Sequence, residues 1–536
     1  MTAEVGATVA TGAAAATAEE IKPYKLHVSS KYLDLTRQKL EITRLPHEVS
    51  EPKSEDWWEP KSQIEPVIDF WLEQYSWRAQ EDALNKELPQ FRTSFTIASS
   101  KTPIRTHFVH IRSPHANAIP LLLIPPFPFS NLSFGHLVKP LTDPEDVANN
   151  QPFHLVIPSL QGVGFSDAFP NNTPVISTSA EILDALMKRL SYSYYLVTNA
   201  GSGAASPAEI DYKLANCLST RYPDSCLGTH FISPPLAKPK LKEAPVQWAK
   251  WSVASALKAP VFGYSRDDFP ALKRSGGYAR RLQKTKTKTD PMFGLNQFEL
   301  REPNTMAYAL CDSPTGLLVF VLKSLRLLGA QRDFTPTEMI NFTQLAWLPG
   351  PEAAMRFWAY CASHPETAPK KTTSSRPKVA VTVFLGNEPK VHDAEKGAPN
   401  VEGVSHFYPC PSWANARYNV VYTQRASGKP GFIPLDRPEI IATGVRRLAA
   451  SILKTDSRLR PAPEPAAASP PQVVAEVAAT GGAPAKAPAE PTPVPPQTEV
   501  RRQPRRALSD ETAVASDETL TGKPSSPTQP AFSPTQ

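Results

Sequence analysis

An unbroken apolar run near the chain's centre, residues 118–124 (AIPLLLI), places the strongest constraint on its fold. The run has the length of a single strand and ends at Pro125 and Pro126. Strands that are apolar on both faces occur in parallel sheets covered by helices. Pro120 is tolerated only near the start of such a strand, where a missing N–H does little harm. The run therefore predicts a central strand of a covered parallel sheet.

Other strand-like and helix-like segments alternate around this run. The strand-like segments are residues 104–111, 153–157, 194–197, 227–232, 379–385 and 418–425, and the last helix is predicted at 438–453. Thr178 and Glu181 form a candidate capping box for a helix through Leu190. Alternating strands and helices predict the α/β class with a mostly parallel sheet. Helical patterns predominate from about residue 238 to residue 377, which predicts a helical lid inserted between two strands.

Composition predicts where the folded part ends. After Thr455 the chain is dominated by Pro, Ala, Ser, Thr, Glu and Gln, and Phe532 is its only aromatic residue. Such a segment cannot bury enough apolar surface to offset the entropy of ordering. The predicted divisions are a disordered N-terminus at 1–20, an N-terminal region at 21–115, the core at 116–237 and 378–454, the lid at 238–377, and a disordered tail at 455–536. Exposed sites in this tail predict phosphorylation or protein binding, at Ser469, Ser509, Ser526 and Ser533.

Charge and cysteine usage argue against several classes of protein. The net charge is +7, and the basic runs at 284–288 and 501–506 lack the aromatic interleaving of a nucleic-acid site. The five cysteines show no metal-ligand spacing and are odd in number, as expected for reduced thiols. No apolar run approaches the roughly 18 residues of a membrane span. We therefore expect a cytoplasmic protein with no transmembrane segment, nucleic-acid partner, metal or organic cofactor.

Several segments, in the same order, resemble the microsomal epoxide hydrolase family of α/β-hydrolases. Residues 21–46 look like the family's N-terminal opening, and 70–91 like its "YW…YDWR…E..LN.FPQF" stretch. Residues 158–166 (PSLQGVGFS) resemble "PSLPGYGFS", and 312–317 (DSPTGL) differ from "DSPVGL" at one position. The resemblance covers roughly residues 21–453. It implies an α/β-hydrolase core, an N-terminal extension of the epoxide hydrolase type and an inserted helical lid.

The resemblance also implies a chemistry that runs through a covalent ester. In the family an aspartate attacks an epoxide carbon, while two lid tyrosines donate protons to the opening oxygen. A histidine, oriented by an acidic residue, then activates water to hydrolyse the ester, and backbone N–H groups stabilise the oxyanion. The imidazole suits this role because its pKa near 6.5 lets it pass protons at neutral pH.

None of these five side chains stands at its family position in this sequence. The matching residues are Gly201 for the nucleophile, Gly431 for the base, Asn387 for the acid, and Leu295 and Trp358 for the lid tyrosines. The oxyanion segment matches residues 125–130 (PPFPFS), where two prolines remove two backbone donors. No histidine follows His406, although the family's base lies after the last strand. The catalytic positions are therefore degenerate.

A shift of one residue offers substitute side chains. Ser202 lies in a small-x-Ser-x-small pattern typical of a serine nucleophile, and Glu388 is adjacent to the acid position. A serine hydroxyl depends on a base even more than a carboxylate does. His406 is the nearest histidine in sequence to the last strand but precedes it. The alternative role for Ser202 is to cap the helix that follows the turn.

These features predict an epoxide-hydrolase-like protein that is catalytically inactive or impaired. It would keep an apolar pocket for a small apolar molecule, or serve as a scaffold. An active epoxide or ester hydrolase that uses Ser202 is the alternative, and a purely structural interaction protein is a third class. A histidine within hydrogen-bond reach of Ser202 would favour the enzyme. A pocket plugged by phenylalanine would favour the interaction protein.

Overall fold

A nine-stranded sheet organises the part of the chain that the computed structural model describes, namely residues 20–47, 60–203, 206–275, 302–364, 366, 376–386 and 408–460. The strands are β1 Lys22–Pro23, β2 Gln90–Phe95, β3 Ile104–Ile111, β4 Ile119–Ile124, β5 Phe153–Pro158, β6 Tyr195–Asn199, β7 Cys226–Ile232, β8 Lys378–Phe384 and β9 Asn419–Ala426. Their order is β1-β2-β3-β5-β4-β6-β7-β8-β9. The pairs from β5 to β9 are parallel, and β1, β2 and β3 join antiparallel. The predicted mostly parallel α/β sheet is confirmed.

The helices cover this sheet and fill the gap between β7 and β8. They are α1 Ser30–Glu41, α2 Lys61–Glu73, α3 Trp77–Glu87, α4 Val138–Thr142, α5 Val175–Arg189, α6 Ile210–Arg221, α7 Pro245–Leu257, α8 Pro303–Asp312, α9 Pro314–Leu327, α10 Pro336–Trp347, α11 Glu352–Ser363, α12 Ile433–Asp436 and α13 Pro438–Leu453. Helices α7 to α11, called the inserted helices below, lie between β7 and β8 in sequence. They occupy the stretch for which the sequence predicts a lid.

The central strands are buried on both faces. Leu121, Leu122, Leu123 and Ile124 of β4 are all fully buried. Alternate residues of this strand contribute to two different apolar clusters, because successive side chains point to opposite faces of a sheet. This explains why the strand is a continuous apolar run in the sequence. Pro120 is the second residue of β4, as the missing N–H requires.

The N-terminal helices pack against the inserted helices. Leu40 of α1 and Ile64 of α2 share a buried cluster with Leu318 of α9 and Ile340 of α10. Polar contacts accompany this packing, since the Tyr75 hydroxyl donates to Asn341 Oδ1 at 2.7 Å. The N-terminal region thus supports the inserted helices from the side.

Glu81, on α3, ties the N-terminal segment to the domain. Its buried carboxylate accepts hydrogen bonds from the Val28 N–H at 2.8 Å and from Trp77 Nε1 at 2.9 Å. Arg78 Nη1 donates to the other carboxylate oxygen at 2.6 Å. One turn later, Asn85 exchanges two hydrogen bonds with the backbone of Leu26. The Trp-Arg…Glu…Asn pattern of residues 77–85 is therefore explained by this structural network.

The described residues beyond α13 correct one prediction. Residues 455–460, expected to belong to the disordered tail, pack onto the fold through Leu459, which is only 3% exposed. Asp456 and Arg458 form an ion pair, and the Arg458 guanidinium lies over the Tyr194 ring. The burial of Leu459, the stacking of Arg458 on Tyr194 and a hydrogen bond from Lys378 to Thr455 connect this segment to the fold, which composition alone did not reveal. Residues 1–19 and 461–536, including the four predicted phosphorylation sites, lie outside the described residues.

Two classes of feature are absent from the described ranges. They contain no cluster of His, Cys, Asp and Glu that could hold a metal ion. None of their helices taken singly has the length and apolarity to cross a membrane. Helices α8 and α9 reach that criterion only when joined across a bend of 120°.

Replacing Glu81 with alanine should destabilise the protein strongly. The change leaves the Val28 amide and the Trp77 indole without their acceptor and Arg78 without its partner, which we expect to cost about 3 kcal/mol of unfolding free energy. Urea denaturation of the purified protein measures this. Glu87→Ala, at an exposed position of the same helix, is the control and should change stability by less than about 0.5 kcal/mol. Equal losses in both variants would show that the network contributes nothing.

Candidate functional site

Gly201 lies where the matched segments predict the nucleophile turn, immediately after β6. Its neighbours are held by the ends of the flanking strands: Ala200 N donates to Ile124 O at 2.9 Å, and Gly203 N to Ile232 O at 2.8 Å. Asn199 donates from its side chain to the Gly201 carbonyl, which fixes the turn. The position is thus at the carboxyl edge of the sheet, where α/β proteins build their sites. This much of the geometry agrees with the sequence.

The space that a side chain at Gly201 would need is already filled. A Cβ built on Gly201 would lie 2.6 Å from Asp211 Oδ2 and 2.9 Å from Pro126 Cβ. Contacts shorter than 3.0 Å are essentially never seen for a real Cβ, so something would have to shift. Asp211 is the second residue of α6 and is buried, with 1% exposure. A neighbouring carboxyl group therefore stands where the family's nucleophile would begin.

Asp211 also takes up the backbone donor of the oxyanion segment. Residues 125 and 126 are prolines without an N–H, and the next amide, Phe127 N–H, donates to Asp211 Oδ1 at 3.1 Å. Burial raises the pKa of the Asp211 carboxyl to about 7, against the lowering effect of its hydrogen bonds from Phe127 and Ser206. An amide that is bonded to an internal carboxyl group is not free to stabilise a reaction intermediate.

The base position, Gly431, is closed in the same manner. A Cβ on Gly431 would lie 2.7 Å from Asp436 Oδ2, and the backbone there has a φ of +66°, which disfavours any L side chain. Asp436 is engaged elsewhere, since it accepts hydrogen bonds from Phe432 N at 2.7 Å and Gln331 N at 3.1 Å. An imidazole at this position would have to displace a hydrogen-bonded carboxylate.

Phenylalanine rings fill the volume between the oxyanion segment, the base loop and the inserted helices. Phe127 stacks on Phe357 of α11 with ring centres 5.6 Å apart. Phe129 meets Phe342 of α10 at 5.3 Å and Phe432 of the base loop at 5.5 Å, both edge to face. All five rings are buried. Among the described residues, the space between these three elements is thus plugged by phenylalanine, which is the arrangement expected for an interaction protein.

A small cavity remains beside this cluster. It measures about 50 Å³ and lies between the inserted helices and the loops at residues 128–130 and 162–164. Trp358, matched to a lid tyrosine, lines it, and its indole N–H has no hydrogen-bond partner among the described residues. Gly201 and Gly431 do not line this cavity. Asp211, Asp436 and the phenylalanine rings occupy the described space beside Gly201 and Gly431, and Leu295, the third position named for the apolar pocket, lies outside the described residues.

The remaining candidates divide into described and undescribed residues. Asn387, Glu388, Leu295 and His406 lie outside the described residues. Ser202 is half-buried, and none of the nine described histidines hydrogen-bonds to its hydroxyl. The loops after β8 and β9 do meet, through a bridge between Gly386 and Gly428. The acid and base loops are therefore adjacent, as the family arrangement requires.

His230 is buried in the sheet beneath this site and has a structural role. It hydrogen-bonds to Thr198 at 3.1 Å and to Thr382 at 2.9 Å, which links β6, β7 and β8. Burial lowers its pKa to about 3, so the imidazole is neutral. Both nitrogens of His230 are thus engaged by hydroxyl groups inside the sheet.

Asp211 and Asp436 are the site residues that sequence reasoning missed. Neither belongs to a motif of the family, and each lies some residues away from the glycine that it faces. The sequence did contain a usable signal near Gly431. Asp436 follows this glycine by five residues and comes just before a helix, so its side chain can reach back to the glycine. At Gly201 the contact depends on the path of residues 202–210, which the sequence does not specify.

A family model connects the N-terminal part of the chain to known proteins. The model described as "Epoxide hydrolase N terminus" matches residues 21–134. This region contains β1 to β4 and the Glu81 network.

Curated relatives and a solved structure extend the similarity over the core. The chain is 26% identical to juvenile hormone epoxide hydrolase 1 of Ctenocephalides felis over 310 residues, which are 56% of this chain and 59% of that protein. It is 23% identical to epoxide hydrolase 1 of Sus scrofa over 467 residues, 81% of this chain and 89% of the relative. The crystal structure of juvenile hormone epoxide hydrolase from Bombyx mori superposes with a TM-score of 0.60 at 20% identity, and covers 81% of this chain and 95% of that one. The structural likeness establishes the α/β-hydrolase fold.

Replacing Asp211 with asparagine should change how stability depends on pH. With a pKa of about 7 the folded carboxyl group keeps its proton between about pH 4 and 7, where the unfolded state has lost it. The wild type should therefore lose up to about 4 kcal/mol of unfolding free energy, relative to Asp211→Asn, as the pH rises through this window. Above pH 7 the difference should stay constant. Denaturant titrations at pH 5, 6, 7 and 8 measure it.

Asp82→Asn, an exposed carboxylate on α3, is the control for this titration. Its pH profile should run parallel to that of the wild type. A parallel profile for Asp211→Asn as well would mean that Asp211 does not titrate in this range.

Proposed function

Because the chain belongs to the epoxide hydrolase family of α/β-hydrolases, we propose that it is an inactive or severely impaired member whose role is binding to other molecules through its surface. The proposal means that the fold has been kept while the ester chemistry has been lost. Three features of the described residues support it, namely the nucleophile position, the base position and the volume of the pocket.

The nucleophile position carries the argument. Ester formation needs a carboxylate that an epoxide carbon can reach in line. Gly201 offers no side chain, and the carboxyl group that fills its place, Asp211, is buried and hydrogen-bonded to the Phe127 amide. Asp211 is a poor substitute for an attacking aspartate, because it is 1% exposed and its Oδ1 already accepts the Phe127 amide.

The base position supports the same conclusion independently. Hydrolysis of an ester intermediate needs a proton acceptor next to the nucleophile. Gly431 provides none, and its positive φ together with Asp436 leaves no room for one. Losing both nucleophile and base is more severe than losing either, because the two steps of the reaction fail separately.

The pocket volume favours a surface role over small-molecule binding. Sites for organic ligands usually measure about 300–1,000 Å³. The cavity here, at about 50 Å³, has room for little more than a water molecule or two. Of the two roles that the sequence predicts, the scaffold is therefore preferred to a protein that stores or carries an apolar ligand.

The purified full-length protein should not turn over epoxides. Incubation with styrene-like and aliphatic epoxides should give diol at the uncatalysed rate, and intact-mass analysis should detect no ester adduct, because neither nucleophile nor base is present. Ser202→Ala should be indistinguishable from the wild type. Multiple-turnover diol formation that Ser202→Ala abolishes would overturn the proposal and favour the serine hydrolase.

Restoring the aspartate at position 201 alone should destabilise the fold and should not restore the reaction. Gly201→Asp places a Cβ 2.6 Å from Asp211 Oδ2 and a second carboxyl group beside the first. We expect a loss of about 2–4 kcal/mol in unfolding free energy. Gly201→Asp combined with Asp211→Gly exchanges the two side chains and should recover most of that loss, as thermal denaturation can show. If Gly201→Asp is as stable as the wild type, the turn is open and the proposed closure is wrong.

A further inference from the structure

A second, larger cavity lies at the amino edge of the sheet, opposite the edge that carries Gly201. It is a groove of about 420 Å³, and organic ligands usually occupy about 300–1,000 Å³. Its walls are the starts of β7 and β8, residues between 415 and 419 at the start of β9, and residues between 456 and 458 after α13. The described residues that line it are entirely different from those that line the small cavity beside the phenylalanine rings. The groove is therefore separate from the positions matched to the hydrolase site.

Two cations at the start of β8 hold the walls together and keep their charge. Arg376 Nη1 donates to the Asn415 carbonyl at 2.6 Å, and Lys378 Nζ donates to the Thr455 hydroxyl at 3.0 Å. The first contact joins β8 to the segment before β9, and the second joins it to the segment after α13. Both acceptors are uncharged, so neither hydrogen bond neutralises the cation that makes it. An arginine carries five N–H donors and a lysine three, so each side chain has further donors for a ligand.

A third cation, Arg458, is held in place by an acid and a ring. Its Nε and Nη2 donate to the two carboxylate oxygens of Asp456 at 3.0 and 2.7 Å, and its guanidinium lies 5.2 Å from the Tyr194 ring centre. Asp456 is the one acid among the described residues that line the groove. The hydrogen bonds from Arg458, and more weakly the charge of Lys378, hold the pKa of Asp456 at about 2, so it is ionised at neutral pH. Three cations against one carboxylate leave two positive charges in excess.

The rest of the groove is suited to an organic group. Pro223, Leu227 and Pro377 line it with apolar surface, and Asn415 and Asn419 add uncharged amides. Sites for small molecules typically combine such an apolar lining with a few polar or charged groups that fix the orientation. The ligand indicated by this lining is an organic group that carries two negative charges.

We propose that this groove binds a phosphate monoester. At neutral pH such a group carries a charge of about −1.5 to −2, which matches the two positive charges in excess, whereas a carboxylate carries a single charge. The planar guanidinium of an arginine can donate to two phosphate oxygens at once, and a lysine supplies a point charge beside it. A phosphorylated small molecule and a phosphoserine side chain of a peptide both offer this chemistry.

Phosphate binding here would give the surface role proposed above a location, yet an active hydrolase could carry the same groove. Diol formation and phosphate binding are therefore measured on the same preparation as separate readouts. Turnover of epoxides would overturn only the proposed inactivity, and absence of phosphate binding would overturn only this site.

Isothermal titration calorimetry of the full chain with phenyl phosphate tests the site. The wild type should bind phenyl phosphate, should bind benzoate at least about fivefold more weakly, and should not bind phenol. Arg376→Gln with Lys378→Gln should weaken the binding of phenyl phosphate by at least about tenfold, because two charge-assisted hydrogen bonds are lost. Addition of about 0.5 M NaCl should weaken binding to the wild type as well.

A short peptide with one phosphoserine distinguishes the two sources of the phosphate group. Binding that is tighter than that of phenyl phosphate would assign the groove to phosphorylated protein segments, and weaker binding would assign it to small molecules. The unphosphorylated peptide is the control and should not bind.

Two further variants separate a site from a general effect of charge or folding. Lys31→Gln with Lys86→Gln removes the same charge from exposed positions elsewhere and should bind phenyl phosphate like the wild type. Asn419→Lys adds a cation at an exposed lining residue and should strengthen binding about threefold, an effect that a damaged fold does not produce. Absence of phenyl phosphate binding in the wild type, equal losses in the lysine control, or no gain in Asn419→Lys would overturn the proposal.

Discussion

The contact between the Asp211 carboxyl group and the Phe127 amide is the interaction on which the candidate site depends. A buried backbone N–H must have an acceptor, and in a hydrolase the acceptor arrives with the substrate. Here the protein supplies it from its own helix α6. The cost is a buried carboxyl group, and this cost is reduced below about pH 7 because burial raises its pKa to about 7 and favours the uncharged form there. The donor is thus satisfied within the protein itself.

Closure of the site follows the same physics as packing of a core. An emptied catalytic pocket would leave an apolar cavity, and each unfilled volume reduces stability. Phe127, Phe129 and Phe432 fill that volume from the core side, and the inserted helices contribute Phe342 and Phe357. Active sites commonly sacrifice stability for function. In this protein the described residues around the positions matched to the site pack as part of the core.

The sequence predicts the sheet well because its signals are local. Helix α13 has the bounds that its apolar spacing and flanking proline indicate, and β4 matches its apolar run to within a residue. The start of α5 was predicted less well. This helix begins at Val175, directly after Pro174 and three residues before the predicted capping box at Thr178. Gly201 and Gly431 follow β6 and β9, as the matched segments predict, because each lies in the loop after a strand whose bounds the sequence indicates. What filled them could not be predicted, since Asp211 reaches Gly201 only through the path of the intervening loop, which no local pattern encodes.

The two glycines matched to the nucleophile and the base of the family share one physical feature. Each has a carboxyl group in the space that a larger residue would need: Asp211 next to Gly201, and Asp436 next to Gly431, where it binds two backbone amides. A Cβ at either position would lie less than 3.0 Å from a carboxyl oxygen. The inactivity proposed above therefore rests on two separate steric contacts, and a single substitution would relieve only one of them.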